Sequence, residues 1–199
     1  MENPKTFTWR RAQISDVQVF TDIYNETIDG GGHSPKLRAA TVEAMGHTLR
    51  AAARMGWPAW AMISDGQVAG WACIRPMAWG TEVCHRTGDL SIYIPTTWQG
   101  SGVAMQAVLV AYREAPRHGF DAVSCWILSS NHKSSMLARA CRLQRWGLMP
   151  QAACYGDRVD DVEIWGGRFD DMRWTAYMDR LEARISRRRL RSTRIQTRV

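Results

Sequence analysis

The stretch Gln99-Gly-Ser-Gly-Val-Ala104 carries the sharpest chemical hint in the chain. It lies between a strand-like run at 89–94 and a helix-like run at 103–112. A strand, a glycine turn and a helix start together make an anion site. The first amides of a helix have no partner within it, and its dipole favours negative charge there. Glycine lets a phosphate approach the backbone closely. Two ligand classes that use this device do not fit. A P-loop needs a lysine after its last glycine, and Val103 follows Gly102. A dinucleotide fingerprint needs a third glycine where Met105 stands, within a βαβ repeat that the chain lacks. No metal is expected. Cys73, Cys84, Cys125, Cys141 and Cys154 form no CxxC pair, and their number is odd. They read as buried free thiols.

The elements that must position this loop are legible from periodicity. Residues 7–14 read as a strand, and Ser15 as an N-cap with Asp16 in the first turn. Val17, Phe20, Ile23, Tyr24 and Ile28 then recur at helical spacing. Glycines 30–32 interrupt the chain, and a second helix is predicted over 41–55 with Val42, Met45, Leu49 and Ala53 on one face. Asp65-Gly66 between two apolar runs predicts a type I′ hairpin. In the run before the loop, Leu90, Ile92 and Ile94 face one way and Asp89, Ser91 and Tyr93 the other. Val103, Val108, Leu109 and Tyr112 mark the helix after it. A strand at 120–128, a short capped helix near 131–140, and two strands around Gly156-Asp157 follow. A last helix from about Asp170 carries Trp174, Tyr177, Met178, Leu181 and Ile185 on one face. The order predicts a single α/β layered unit, and 199 residues suit one well-cored domain. No run of eighteen apolar residues occurs, so no membrane partner is expected. The polar start suggests a cytoplasmic protein.

The loop and its surroundings resemble the GCN5-related N-acetyltransferases (GNAT). Gln99-x-x-Gly102-x-Ala104 is similar to their Q/R-x-x-G-x-G/A loop, and "ISDGQVAGWACIRP" to their central hairpin. Asn131, Ser134 and Leu137 resemble their N-x-x-S-x-x-L segment. The opening "TWRRAQISDVQVFTDIYNETI" and the later "DDVEIW" resemble the phosphinothricin acetyltransferase branch. The resemblance covers roughly residues 7–170. It implies a mixed, mostly antiparallel central sheet flanked by helices. It implies a GNAT acetyltransferase domain at 1–170, followed at 171–199 by an amphipathic helix and an arginine-rich tail. It also implies acetyl-CoA as cosubstrate, a small amine as acceptor, and a homodimer, the state relatives often adopt.

Acetyl transfer to an amine asks for a base, because a primary amine near pKa 10 is mostly protonated at neutral pH. Asp89 stands where the resembling branch has a glutamate, in Asp89-Leu-Ser-Ile-Tyr-Ile. Its shorter side chain makes a bridging water more necessary. His85 is a rival base, and Glu82 a weaker one. By the resemblance, backbone amides near Ile92 and Ile94 meet the pantetheine arm and the carbonyl oxygen. Gln99, Gly100, Ser101, Gly102, Val103 and Ala104 hold the pyrophosphate. Asn131, also an N-cap candidate, and Ser134 meet the pantetheine. Three positions depart from the pattern. Ala138 stands where many relatives carry a tyrosine acid, Arg142-Leu143 replaces Gly-Phe, and no histidine accompanies Val159-Asp160. The acceptor side is expected near 29–38, which holds His33, and near 155–161, which holds Asp157, Asp160 and Asp161.

Charge separates the tail from the body. Residues 180–199 hold eight arginines against one acid, Glu182, which accounts for the whole net charge of +7. The preceding residues balance 18 basic against 18 acidic side chains. The tail at 184–198 therefore offers nucleic acid a phosphate-binding segment, with a solvated helix face as the alternative. Two further functional readings stay open: an acyltransferase acting on a nucleic-acid-associated acceptor, and a non-catalytic acyl-CoA- or nucleic-acid-binding module. Most of the tryptophans, including Trp60, Trp71, Trp126 and Trp165, are expected in the core.

Overall fold

The alternation of Leu90 and Ile92 with Asp89, Ser91 and Tyr93 becomes a central strand, β4 (Thr87–Tyr93), with a different core on each face. The computed structural model describes residues 7–29, 38–77, 82–155 and 157–196, the side chains of Asp29 and 188–196 excepted. Ahead of β4 come β1 (Thr8–Arg11), α1 (Val17–Asp29), α2 (Val42–Arg54), β2 (Ala59–Ser64) and β3 (Gln67–Pro76). After it come α3 (Val103–Glu114), β5 (Ala122–Leu128), α4 (His132–Ala140), β6 (Gln144–Tyr155), β7 (Arg158–Arg168) and α5 (Met172–Gln196). The strands form one sheet in the order β1-β2-β3-β4-β5-β7-β6. Every neighbouring pair is antiparallel except β4 with β5. This is the mixed, mostly antiparallel sheet that the resemblance implies.

On one face, α1 and α2 bury Phe20, Ile23, Tyr24 and Met45 against Ala61 and Trp71. Phe20 stacks on Trp71 at 4.8 Å and 6°, and Trp71 stacks on Tyr93 at 4.3 Å. On the other face, α3 and α5 meet Trp60, Met62, Ala72, Ile74 and Leu90. The period-2 strands and 3.6-residue helices therefore interlock as their apolar stripes require. α5 crosses β7 at Gly167, where any Cβ would meet the Trp174 ring at 2.7 Å. The Trp174 indole donates to Cys141 O at 3.0 Å, so the close approach is also hydrogen-bonded. Asp65 (φ 50°) and Gly66 (φ 76°) build the predicted hairpin turn, with both residues left-handed as type I′ demands.

Four local expectations need correction. Ser15 does not cap α1. A 3-10 turn at Ile14–Asp16 precedes the helix, and Asp16 accepts the Gln13 amide at 2.8 Å while Arg10 grips it with two bonds of 2.7 Å. The buried stripe of α2 runs through Met45, Leu49 and Ala52, leaving Val42 and Ala53 exposed. Thr41 takes the cap, its side chain accepting from the Ala44 amide, which leaves Val42 at the exposed first position of the helix. Trp126 is 37% exposed rather than core, because α1 and α2 cover only the β1–β4 half of its face. Cys154 is exposed on β6, an edge strand, and only Cys141 is fully buried.

Candidate active site

The site begins where the sheet comes apart. β4 and β5 pair only through Thr87–Ala122, Gly88–Val123 and Asp89–Ser124. Beyond those pairs the two parallel strands have no register with each other, which leaves a wedge between them. Hydrogen-bond alternation fixes which amides line it. Thr87 O accepts from Met77 on the β3 side, whereas Arg86 O accepts from Asp121 and Gly88 O accepts the Ser124 hydroxyl on the β5 side. Continuing that phase, Asp89, Ser91 and Tyr93 bond towards β3, and Leu90 and Ile92 turn their amides into the wedge. Ile94 lies just past the end of β4. The side chains of Ile92 and Ile94 pack on the α3-side core, so only their backbones are available to a ligand.

The wedge leads to the glycine loop. Gly100 (φ 77°) and Gly102 (φ 90°) are left-handed, a conformation that costs other residues about 1–2 kcal/mol. Neither would place a Cβ within 4 Å of another atom, so both glycines are demanded by backbone shape and leave open space above. Gly102 caps α3 with no side-chain hydrogen bond, and the first amides of the helix keep their donors. Ser101 is folded back, its hydroxyl donating to Trp98 O at 2.5 Å. Gln99 points elsewhere: its Oε1 accepts from Lys133 Nζ at 2.7 Å. Val103 is buried and seats the first turn, while Ala104 is half-buried. Donors, open space and a cationic neighbour fit a pyrophosphate group.

Asp89 sits at the vertex, as the last β4 residue paired with β5. It is directly opposite Arg75 on β3. Burial raises its carboxyl above the usual range, and the Arg75 charge opposes that rise. A carboxylate raised in this way is a better proton acceptor near neutral pH. His85 is not brought to the wedge. It lies before β4, exposed, with its ring Nδ1 2.6 Å from Glu82 O. Glu82 is exposed in the same turn.

Other candidates settle at the flanks. Asn131 caps α4, its Oδ1 accepting the Ser134 amide at 3.1 Å, and both residues are half-buried. Ala138 is buried in the α3-side core and offers no proton. In the β6–β7 hairpin, Asp160 accepts from the Ser130 hydroxyl at 2.5 Å and sits 4.0 Å from Arg158. Asp161 accepts the Gln151 amide at 2.8 Å. These two acids are thus committed within the fold, and Asp157 is exposed at the turn. His33 and most of the 29–38 stretch lie outside the described residues. Three residues escaped sequence reasoning. Arg75 could have been found by counting hairpin register against Asp89. Lys133, between Asn131 and Ser134, carried its signal in charge. Glu26, whose carboxylate accepts the Thr96 amide at 2.6 Å just ahead of the loop, had none, because 70 residues separate the partners.

The geometry can now be set beside known proteins. Residues 25–141 match the acetyltransferase (GNAT) family. The chain belongs to the GNAT acetyltransferase family. It is 27% identical over 164 residues to "Putative phosphinothricin acetyltransferase YwnH" of Bacillus subtilis, covering 80% of this chain and 97% of that one. Its fold is similar to yncA from Salmonella typhimurium, solved with acetyl-CoA (TM-score 0.78, 22% identity, 83% of this chain and 95% of that one). It is also similar to the phosphinothricin acetyltransferase of Sinorhizobium meliloti in complex with acetyl-CoA (TM-score 0.77, 21% identity, 82% and 88%). The GNAT match takes in the wedge, Asp89 and the whole glycine loop. It stops at Cys141, before the β6–β7 hairpin and α5.

Proposed function

We propose that the protein is an acetyl-CoA-dependent N-acetyltransferase of a small primary amine, with Asp89 as general base. The observation that carries this reading is the continuity of one groove: a part-buried carboxylate at its vertex, inward amides along its wall, and a glycine loop with open helix-start amides at its end. Acetyl-CoA supplies the acetyl group as an activated thioester. The α3 amides at 103–105, with Lys133 alongside, suit its pyrophosphate. The Ile92 amide is available to the carbonyl oxygen, where negative charge develops during attack. Asp89 takes the proton from the ammonium acceptor, directly or through one water, and frees the lone pair for attack. Ala138 does not protonate the departing thiolate. An ordinary thiol near pKa 8.5 leaves without that help and takes its proton from solvent.

The test combines binding and turnover. Acetyl-CoA is expected to raise the melting temperature of wild type and of Asp89→Asn alike, while the substitution lowers kcat on amine acceptors by about 10²–10⁴-fold. Unchanged turnover would remove Asp89 from the mechanism. Absence of any acetyl-CoA shift would remove the cofactor assignment.

A further inference from the structure

α5 is 25 residues long, and among the described side chains its apolar stripe runs to Ile185. What remains is charge with a definite geometry. Arg173, Arg180, Arg184 and Arg187 recur at i, i+7, i+11 and i+14, within about 60° of one helix face at 100° per residue. Arg191 and Arg194 continue the spacing in the sequence, in a segment whose backbone is still helical. No acidic residue interrupts this series of positions. From Arg173 to Arg194 it spans about 32 Å at 1.5 Å per residue.

The series is also uncompensated. The acids within α5 are Asp179 and Glu182, and both turn to Arg113 on α3. Several arginines of the body are neutralised: Arg86 by Asp121, Arg117 by Glu114, Arg145 by Glu163 and Arg168 by Asp170. Arg173, Arg180, Arg184 and Arg187 are exposed and have no ion pair among the described residues. Arg142, stacked 4.3 Å over Tyr177, adds a further cation beside the row. Eight arginines against two acids give this one helix six of the molecule's seven surplus charges, which calls for a polyanion.

We propose that this arginine face of α5 binds nucleic acid through its phosphates, without reading sequence. A straight row of guanidiniums matches a regular row of phosphates, each contact releasing counterions. An anionic membrane fits less well. Interfacial helices need an apolar face to insert, and the apolar face of α5 is already spent on Met62, Leu109 and Tyr112's core, with only Leu190 and Ile195 as aliphatic residues beyond it.

The experiment titrates the full-length protein against a fluorescein-labelled 30-base-pair DNA duplex and a 30-nucleotide RNA by fluorescence anisotropy, between 50 and 200 mM KCl. The comparison is R180Q/R184Q/R187Q, checked by circular dichroism to melt at the wild-type temperature. Wild type is expected to bind at least one of the two probes with steep salt dependence. The triple variant should bind about tenfold or more weakly, with a log–log salt slope shallower by about 2.7 on the duplex (about 0.9 per lost contact) or about 2.1 on the RNA (about 0.7 per lost contact). No binding of either probe at 50 mM KCl overturns the proposal, as does equal binding by the variant. Preferential binding to phosphatidylserine vesicles over both nucleic acids assigns the face to membranes instead and equally overturns it.

Discussion

Two aspartates show how little residue type says without surroundings. Asp16 and Asp89 are both at least half-buried, and burial alone would raise both carboxyl pKa values. At Asp16 that rise is outweighed by the Arg10 hydrogen bonds, the Gln13 amide and the Arg10 charge, so the carboxyl lies below the usual range. At Asp89 the Arg75 charge does not outweigh it. A base must be ionised to act, so the acid limb of kcat/KM is expected above the ordinary carboxylate range and not near 3.8. Arg75→Gln should move that limb to still higher pH, since it deletes the only opposing cause. A pH–rate profile of the two proteins checks this, and an unmoved limb would separate Arg75 from the base. The strand–glycine–helix setting of the loop from Gln99 to Ala104 was legible because that pattern is local in sequence, and Asp89 was marked out by the family resemblance. The cation opposing Asp89 was not, because it comes from strand register.

At the scale of elements, the loop works because its amides are held outward at a helix start. Gly102→Ala keeps the fold and places an L-residue at φ 90°. We expect it to raise KM for acetyl-CoA by about five- to thirtyfold, the equivalent of 1–2 kcal/mol, with kcat little changed. Initial-rate kinetics at varied acetyl-CoA would show it, and an unchanged KM would mean that the loop does not need that backbone shape. The element order, the hairpin at Asp65-Gly66 and both faces of β4 could be read in advance, because period-2 and period-3.6 patterns report burial directly. The Ser15 cap could not, since a tertiary grip by Arg10 redirected the turn. Exposure of Trp126 was equally hidden: nothing in a strand's own sequence says which half of a sheet the helices will cover. The wedge itself leaves no local trace, because it is a failure of two strands to stay paired.

For the whole molecule, the same aspartates predict opposite responses to pH and mutation. The folded pKa of Asp16 is below its unfolded value. Its contribution to stability is therefore present above pH 3.8 and is lost as pH falls through the lower folded value. Asp16→Asn should destabilise the protein by about 1–3 kcal/mol at pH 7, measured by urea unfolding, and the deficit should shrink in acid. Asp89 is the reverse, with a folded pKa above the unfolded one, so its ionisation at neutral pH costs stability. Asp89→Asn should melt at or above the wild-type temperature while turnover falls, which is the trade expected of a strained functional group. A lower melting temperature for that variant would assign Asp89 a structural role.

The three residue pairs joining β4 to β5 are few for a sheet of seven strands. Behind them, α5 touches both halves. On the β4 side, Tyr112 of α3 donates to Thr175 O at 3.2 Å and to Asp179 at 3.0 Å, and Glu182 holds Arg113. On the β5 side, Trp174 lies on Gly167 of β7 and bonds Cys141 O. The helix therefore bridges the two halves of the sheet behind the groove. The contacts that make this bridge among the described side chains run from Trp174 to Ile185, the first four turns of the helix. Removing residues after Ser186 would leave that bridge in place, whereas removing the helix from its start would let the two halves rock about Asp89 and Ser124.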